Sequence, residues 1–329
     1  MFDLPHHRAR ALLQTGAPVY LSVNPVEYHG PHLSLHNDSL ISAGMIREMH
    51  AGLQVRHPDW PLIVARDLEI GVDPASGPGS RSTSLRAARR LIRQALSGLV
   101  EMGAQRVVLM TFHGSPLHSV ALEAGVSWLR SQGVQAISPM SGLLWELVRM
   151  DADELAPMFA PVADPADREA LRAWAQDDVH GGFIETSMTL YYAPESVSPQ
   201  LQAVKPCPPL PKPALLVRLS DQLRRWGFLD RACEVRLIAM GIGWSRLRPF
   251  PGYTGLPHLA NPASGAWLAK RIIAAVVDAA EEIFAGGPPL PTPPLHWLGA
   301  LTLDGMIPRP DVPVSAIDPS CLGESTASS

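Results

Sequence analysis

The stretch from residue 18 to 53 reads as strand, loop and helix in that order. Pro18-Val-Tyr-Leu-Ser-Val23 is apolar and β-branched, as a buried strand requires. Leu40 to Leu53 carries a helical apolar period, with Asp38 or Ser39 near its cap. Between them, Glu27-Tyr-His-Gly-Pro-His-Leu-Ser-Leu-His-Asn-Asp38 packs two carboxylates and three imidazoles into twelve residues. Such a loop leaves a strand and enters a helix, which is the edge where α/β sheets gather ligands. Glu27 and His29 are two apart, so in extended backbone they point the same way. Carboxylate oxygens and imidazole nitrogens are donors that Zn, Mn or Fe accept.

The same unit recurs. Ser84 to Met102 is an amphipathic helix with Leu85, Ala88, Leu91, Ile92, Ala95, Leu96, Leu99 and Val100 on its apolar face. Arg86, Arg89, Arg90 and Arg93 lie toward solvent, and Gly103 ends it. Arg106-Val-Val-Leu-Met110 reads as a buried parallel strand running into Thr111-Phe-His-Gly-Ser-Pro116, then a helix from Leu117 to Arg130. His113 therefore sits at a strand end, while His118 lies on the helix and is not expected to be a ligand. Further strands are expected at 61–65 and 134–138, and helices at 143–150 and 266–284. A third cluster follows in Asp178-Val-His180-Gly-Gly-Phe-Ile-Glu185-Thr-Ser187. Paired glycines let backbone pass close to a ligand. Glu185 opens a helix expected over 186–192, so its carboxylate can turn back toward the loop. His180 suits a proton shuttle, because imidazole titrates near working pH. Asp178 is expected to fix its tautomer.

Length and composition bound the rest. The 329 residues can bury a sizeable core as one large domain or two small ones, and a net charge of −4 gives no argument for nucleic acid or membrane partners. Cys207, Cys233 and Cys321 are scattered, which argues against a thiolate metal site and for a reducing compartment. No apolar leader or spanning run is present, so a cytoplasmic protein is expected. The glycine-rich loop Gly71 to Ser82 contains Gly77-Pro-Gly-Ser80 but lacks the Lys-Ser/Thr ending of a phosphate-cradling loop. Residues 151–178 read as a variable excursion, in which Trp174 either lines a substrate pocket or packs on the body.

Taken together the three clusters resemble the creatininase (creatinine amidohydrolase) family. Glu27, His29, Gly30, Pro31, His32, Leu33 and Asp38 match its Glu-x-His-Gly-Pro-His-Leu-Pro signature and the Asp that follows, with Ser34 in place of Pro. His113 and Gly114 keep part of an Asn-Gly-His-Gly-Gly-Asn segment, and His180, Gly181, Gly182, Glu185, Thr186 and Ser187 match the third motif. Pro78-Gly79-Ser80 parallels a Pro-Gly-Thr segment, and residues 252–265 parallel a closing Gly-x-x-Gly-x-Pro segment. The resemblance implies a three-layer α/β/α sandwich with a mainly parallel sheet. It implies two divalent metal ions (Zn, Mn or Fe) held by Glu27, His29, Asp38, His113 and a further carboxylate, with Asp38 bridging. Creatininase has a Glu where Ser115 stands here, so either Glu185 supplies the carboxylate or the second metal is weak or absent. Hydroxide generated at the ions attacks an amide carbonyl, and His180 passes a proton to the leaving nitrogen. Ser80, Ser115, Trp174 and Asp178 are candidates for substrate contact. Gln176 stands where creatininase has a Trp, so the substrate is expected to be a small-molecule amide other than creatinine: a cyclic amide, a formamide or a peptide-like bond. The alternative is an inactive scaffold serving binding or assembly. The expected organisation is a hydrolase domain over 1–285 with an insertion at 201–250, a Pro-rich tail over 286–329, and a homo-oligomer, a hexamer by resemblance.

Overall fold

The protein is described here by a computed structural model covering residues 1–304 and 312–317; the parts of the expected tail at 305–311 and 318–329 lie outside the described residues. The chain opens with α1 (His6–Leu13), β1 (Val19–Asn24) and α2 (Asn37–Gln54). Two short strands follow, β2 (Ile63–Val64) and β3 (Leu68–Glu69), then α3 (Leu85–Glu101), β4 (Arg106–Met110), α4 (Pro116–Ser131) and β5 (Gln135–Ile137). The second half is helical: α5 (Pro139–Arg149), α6 (Ala156–Phe159), α7 (Pro165–Trp174), α8 (Phe183–Tyr192), α9 (Ala214–Arg225), α10 (Leu229–Ser245), α11 (Pro262–Phe284) and α12 (Leu298–Leu301).

The strand order is β2-β1-β4-β5, and β3 pairs with β1 as well. All these pairings are parallel. β2 meets the start of β1 at Val19 and β3 meets its end at Val23, so the two lie in turn along one edge. Nothing in the apolar pattern announces β3, whose two residues are half-buried and exposed.

The pleat sends successive side chains to opposite faces, and here each face has its own core. Val19, Leu21, Val23, Val107 and Leu109 join Leu13, Leu85, Ile92, Leu96, Leu122 and Leu129 from α1, α3 and α4. Tyr20, Val108, Met110 and Ile137 point the other way, onto Ile41, Met45 and Met49 of α2, Phe183 and Met188 of α8, and Leu268, Ile272 and Val276 of α11. That is a three-layer α/β/α sandwich. Each fully buried aliphatic side chain contributes about 1.5–3 kcal/mol, so the two cores hold the strand ends rigidly.

α3 starts where Ser84 Oγ accepts the Ala87 N–H at 3.3 Å. Its buried face is narrower than the period suggests, because Leu91 is exposed. The excursion at 151–178 is not loose: it folds as α6 and α7, and Phe159 and Leu171 are buried in the α11-side core. Residues 201–250 form the α9–α10 helical hairpin, docked on α5 through Cys233, Trp145 and Val148. No described helix is long and apolar enough to cross a membrane.

Candidate metal centre

The ends of β1 and β4 and the starts of α2 and α8 converge at the carboxyl edge of the sheet. Glu27 and His29 lie on the loop leaving β1, Asp38 on the first turn of α2, His113 just past β4, and Glu185 on the first turn of α8. Glu27 Oε2 is 2.8 Å from His113 Nδ1, and Asp38 Oδ2 is 3.6 Å from the same nitrogen. His29 Nε2 is 3.3 Å from Asp38 Oδ1 and 3.2 Å from Glu185 Oε1. Asp38 thus gives one oxygen to each of two clusters, Glu27–Asp38–His113 and His29–Asp38–Glu185. His180 completes a third group with Glu27 and His29; its Nδ1 is 3.8 Å from Glu27 Oε1.

Hydrogen bonds fix which ring nitrogen faces inward. His29 Nδ1 donates to the Glu27 carbonyl at 3.0 Å, leaving Nε2 for the site. His113 Nε2 donates to the Val72 carbonyl at 3.1 Å, leaving Nδ1. His180 Nε2 donates to the Tyr28 carbonyl at 2.9 Å, again leaving Nδ1. The carboxylates are aimed in the same way. Asn37 Nδ2 donates to Glu185 Oε1 at 2.9 Å, and the Gly181 N–H donates to Oε2 at 2.6 Å. The Ala75 N–H, from the glycine-rich loop, donates to Glu27 Oε1. Partners of this kind orient ligands around a metal. Gly181 adopts φ +56° and a side chain there would meet the His29 carbonyl at 3.0 Å, while one on Gly182 would meet the Thr254 carbonyl at 2.7 Å. Gly181 lets the His180 loop close onto the signature loop, and Gly182 lets it close onto the segment at Thr254.

The inward atoms Glu27 Oε2, His29 Nε2, Asp38 Oδ1 and Asp38 Oδ2 are buried with no hydrogen-bond partner among the described residues. Lone pairs facing lone pairs in a dry site call for positive charge between them. A tetrahedral ion with bonds of about 2.0–2.1 Å holds its ligands roughly 3.3 Å apart, and the His29–Asp38 and His29–Glu185 separations of 3.3 and 3.2 Å suit that. The titration of the protein groups carries the same message. Burial is the largest influence on each and disfavours its charged form. Over that, Glu185 and Asp38 hold His29 well above the usual imidazole range, and Glu27 pushes His113 up to about 9. His113, His180 and His29 hold Glu27 well below the carboxylate range, and His29 takes Glu185 down to about 2. Burial wins at Asp38, pushed up to about 7, and at His180, which is lowered. The field of the site draws cations, and the donor set fits a divalent one.

The residues singled out for substrate contact have other work. Ser115 caps α4: its Oγ accepts the His118 N–H at 3.3 Å. Ser80 Oγ accepts the Tyr28 N–H at 2.9 Å and clasps the signature loop. Asp178 does not touch His180. Its carboxylate accepts the Phe183 N–H at 2.8 Å and so holds the start of α8, while burial pushes it up to about 7; the tautomer of His180 is fixed by Tyr28. Trp174 ends α7 and is half-buried between the α11-side core and a small cluster formed by Tyr28, Leu247, Phe250 and Tyr253. The sequence gives no warning of Trp244, which meets His180 with ring centroids 5.0 Å apart. His32 of the signature takes a supporting place: its Nε2 donates to the Gly181 carbonyl at 2.9 Å and fastens the two loops.

With this geometry in place, the family comparison is decisive. The creatininase profile, described as creatinine amidohydrolase, matches residues 3–280. The chain belongs to the creatininase family. A solved creatinine amidohydrolase (creatininase) is 19% identical with a TM-score of 0.56, over 86% of this chain and 97% of that one. A manganese creatininase is 20% identical, TM-score 0.55, over 86% and 98%. A putative creatinine amidohydrolase from Bacteroides fragilis is 15% identical, TM-score 0.52, over 82% and 90%. At such identities the likeness is one of fold. No curated protein sequence matches the chain. The creatininase family is one of amidohydrolases, and the carboxylate–imidazole clusters of this member supply what a divalent metal ion takes.

Proposed function

We propose that the protein hydrolyses the C–N bond of a small amide with two divalent ions, held by Glu27, Asp38 and His113 on one side and His29, Asp38 and Glu185 on the other. The observation that carries this is Asp38, whose two buried oxygens serve two clusters and have no hydrogen-bond partner among the described residues. When bound, divalent ions would polarise an amide carbonyl and lower the pKa of water. The chain's own residues do the rest. Glu27, His29, Asp38, His113 and Glu185 are all buried, which strengthens the electrostatics of the ligand set. His180, with Nε2 tied to Tyr28, has Nδ1 to take a proton and deliver it to the leaving nitrogen. Zinc and manganese are the ions to try first, since solved creatininases include a zinc–zinc and a manganese form.

The substrate we favour is an amide other than creatinine. Gln176 stands four residues before His180 and Trp174 packs between two apolar clusters, so the aromatic recognition expected of creatininase is absent at that place. The intact ligand set weighs against an inactive scaffold. Exposed Leu215, Trp226 and Phe228 on the α9–α10 hairpin support self-association. The experiment is elemental analysis of protein purified without chelator. About two ions per chain are expected; none, even after soaking with zinc or manganese, refutes the reading. Rapid conversion of creatinine to creatine would refute the substrate claim alone.

A further inference from the structure

Three hydrogen bonds meet on the backbone between Val72 and Ala75, at the start of the glycine-rich loop. The Val72 carbonyl accepts from His113 Nε2 at 3.1 Å, and the Ala75 N–H donates to Glu27 Oε1. One short piece of chain thus aims two of the three donors in the Glu27–Asp38–His113 cluster. Asp73, between them, adopts φ +61°, a left-handed conformation that a residue with a side chain keeps only where its surroundings hold it. The third bond runs to a residue outside the cluster: the Val72 N–H donates to His118 Nδ1 at 3.3 Å.

His118 is placed to do the holding. It lies in the first turn of α4, fully buried, and its Nε2 donates to the Val23 carbonyl at 3.0 Å. Val23 belongs to β1 and is paired in register with Leu68 of β3, so the ring is anchored on the sheet. A neutral imidazole with its proton on Nε2 accepts at one nitrogen and donates at the other, and both capacities are used here. The Val23 carbonyl therefore fixes how the ring presents Nδ1, and Nδ1 fixes Val72. The rings of His118 and His113 meet edge-on with centroids 5.1 Å apart, and Val72 is the hydrogen-bonded link between them.

We propose that His118 is a positioning residue of the metal centre: it seats Val72–Ala75 against the end of β1 and so sets the aim of His113 and Glu27. The proposal rests on the metal-dependent reading and deepens it, because His118 belongs to none of the three clusters. The test has two readouts on the full chain: zinc affinity, by competition with a chelator, and hydrogen exchange of the Ala75 amide in metal-free protein. His118→Leu removes both ring bonds. His118→Asn puts a carbonyl oxygen near the place of Nδ1 and can still accept from Val72. His118→Gln puts its amide near the place of Nε2, keeping Val23 and releasing Val72, and takes over the test if the leucine variant fails to fold. Ser115→Ala loosens the same helix turn without touching Val72 and controls for stability alone. In His118→Leu and His118→Gln one zinc-binding step should weaken about 10–100-fold, as loss of a supporting partner does. Their Ala75 amide should exchange about tenfold faster, the worth of one hydrogen bond. His118→Asn should recover most of both, and Ser115→Ala should change neither. Unchanged affinity and exchange in His118→Gln, equal losses in Ser115→Ala, or no recovery in His118→Asn overturns the proposal. Failure of the metal-dependent reading shows separately, as a wild type that takes up no zinc; Ala75 exchange in that protein still decides whether His118 seats the segment.

Discussion

The two halves of the metal centre are held by different kinds of structure. Glu27 and His113 leave the ends of β1 and β4, neighbouring strands whose register runs from Val19↔Val107 to Ser22↔Met110 between two cores. His29 also leaves β1, but its partner Glu185 depends on a loop and the first turn of α8. That turn is held by Asp178, by the Gly181 N–H and by Asn37. The sheet-borne half follows from strand pairing. The helix-borne half follows from a set of individual hydrogen bonds, each removable.

The largest effect should come from removing the shared member. Asp38→Ala should take the metal content from about two ions to near zero and lower turnover by well over 100-fold, beyond the 10–100-fold that supporting residues produce. Elemental analysis beside an amide assay checks this, and a variant keeping one firmly bound ion would break the symmetry claimed for Asp38. Glu185→Gln should be milder, retaining about one ion in the sheet-borne half; loss of both would show that the halves are not separable.

Acid should reach the sheet-borne half from behind. His118 lies edge-on to His113, accepts the Val72 N–H at Nδ1 (3.3 Å) and donates from Nε2 to the Val23 carbonyl (3.0 Å). Burial, aided by His113, lowers it to about 3. Unfolded histidine titrates near 6.5, so between those values the unfolded chain binds the extra proton and stability falls as pH falls. The urea midpoint should thus drop from about pH 6.5 downward, and less steeply in His118→Asn; an unchanged slope would remove His118 from the account. The smallest effect is expected of Ser115→Ala. Loss of a helix cap costs about 1 kcal/mol, roughly 2–4 °C in Tm, with metal content unchanged. A fall in metal content would make Ser115 a ligand after all.

Much of this could be read from the sequence, for local reasons. β1, β4 and their following helices announce themselves because burial on both faces demands continuous apolar runs, and the residues just past them lie at the carboxyl edge by topology alone. Asp38, two residues into α2, inherits its position from the same unit. What could not be read depends on distant contacts. Ser80, Ser115 and Asp178 looked like site residues because they are polar and near the motifs, yet each bonds to a backbone N–H: Ser80 to Tyr28 across the fold, Ser115 and Asp178 to the helix starts three and five residues on. Trp244 escaped for the opposite reason: an aromatic in a helix reads as core, and only the turn of the α9–α10 hairpin sets it against His180.

Asp38 has one further consequence. A carboxylate divided between two clusters makes them thermodynamically reciprocal, since whatever occupancy of one does to affinity at the other is returned in equal measure. A cation drawing electron density from Oδ1 weakens Oδ2 as a donor, while it also relieves repulsion among three buried carboxylates. The balance sets whether half-filled molecules accumulate or are skipped, and hence whether activity rises linearly or sigmoidally as metal is added.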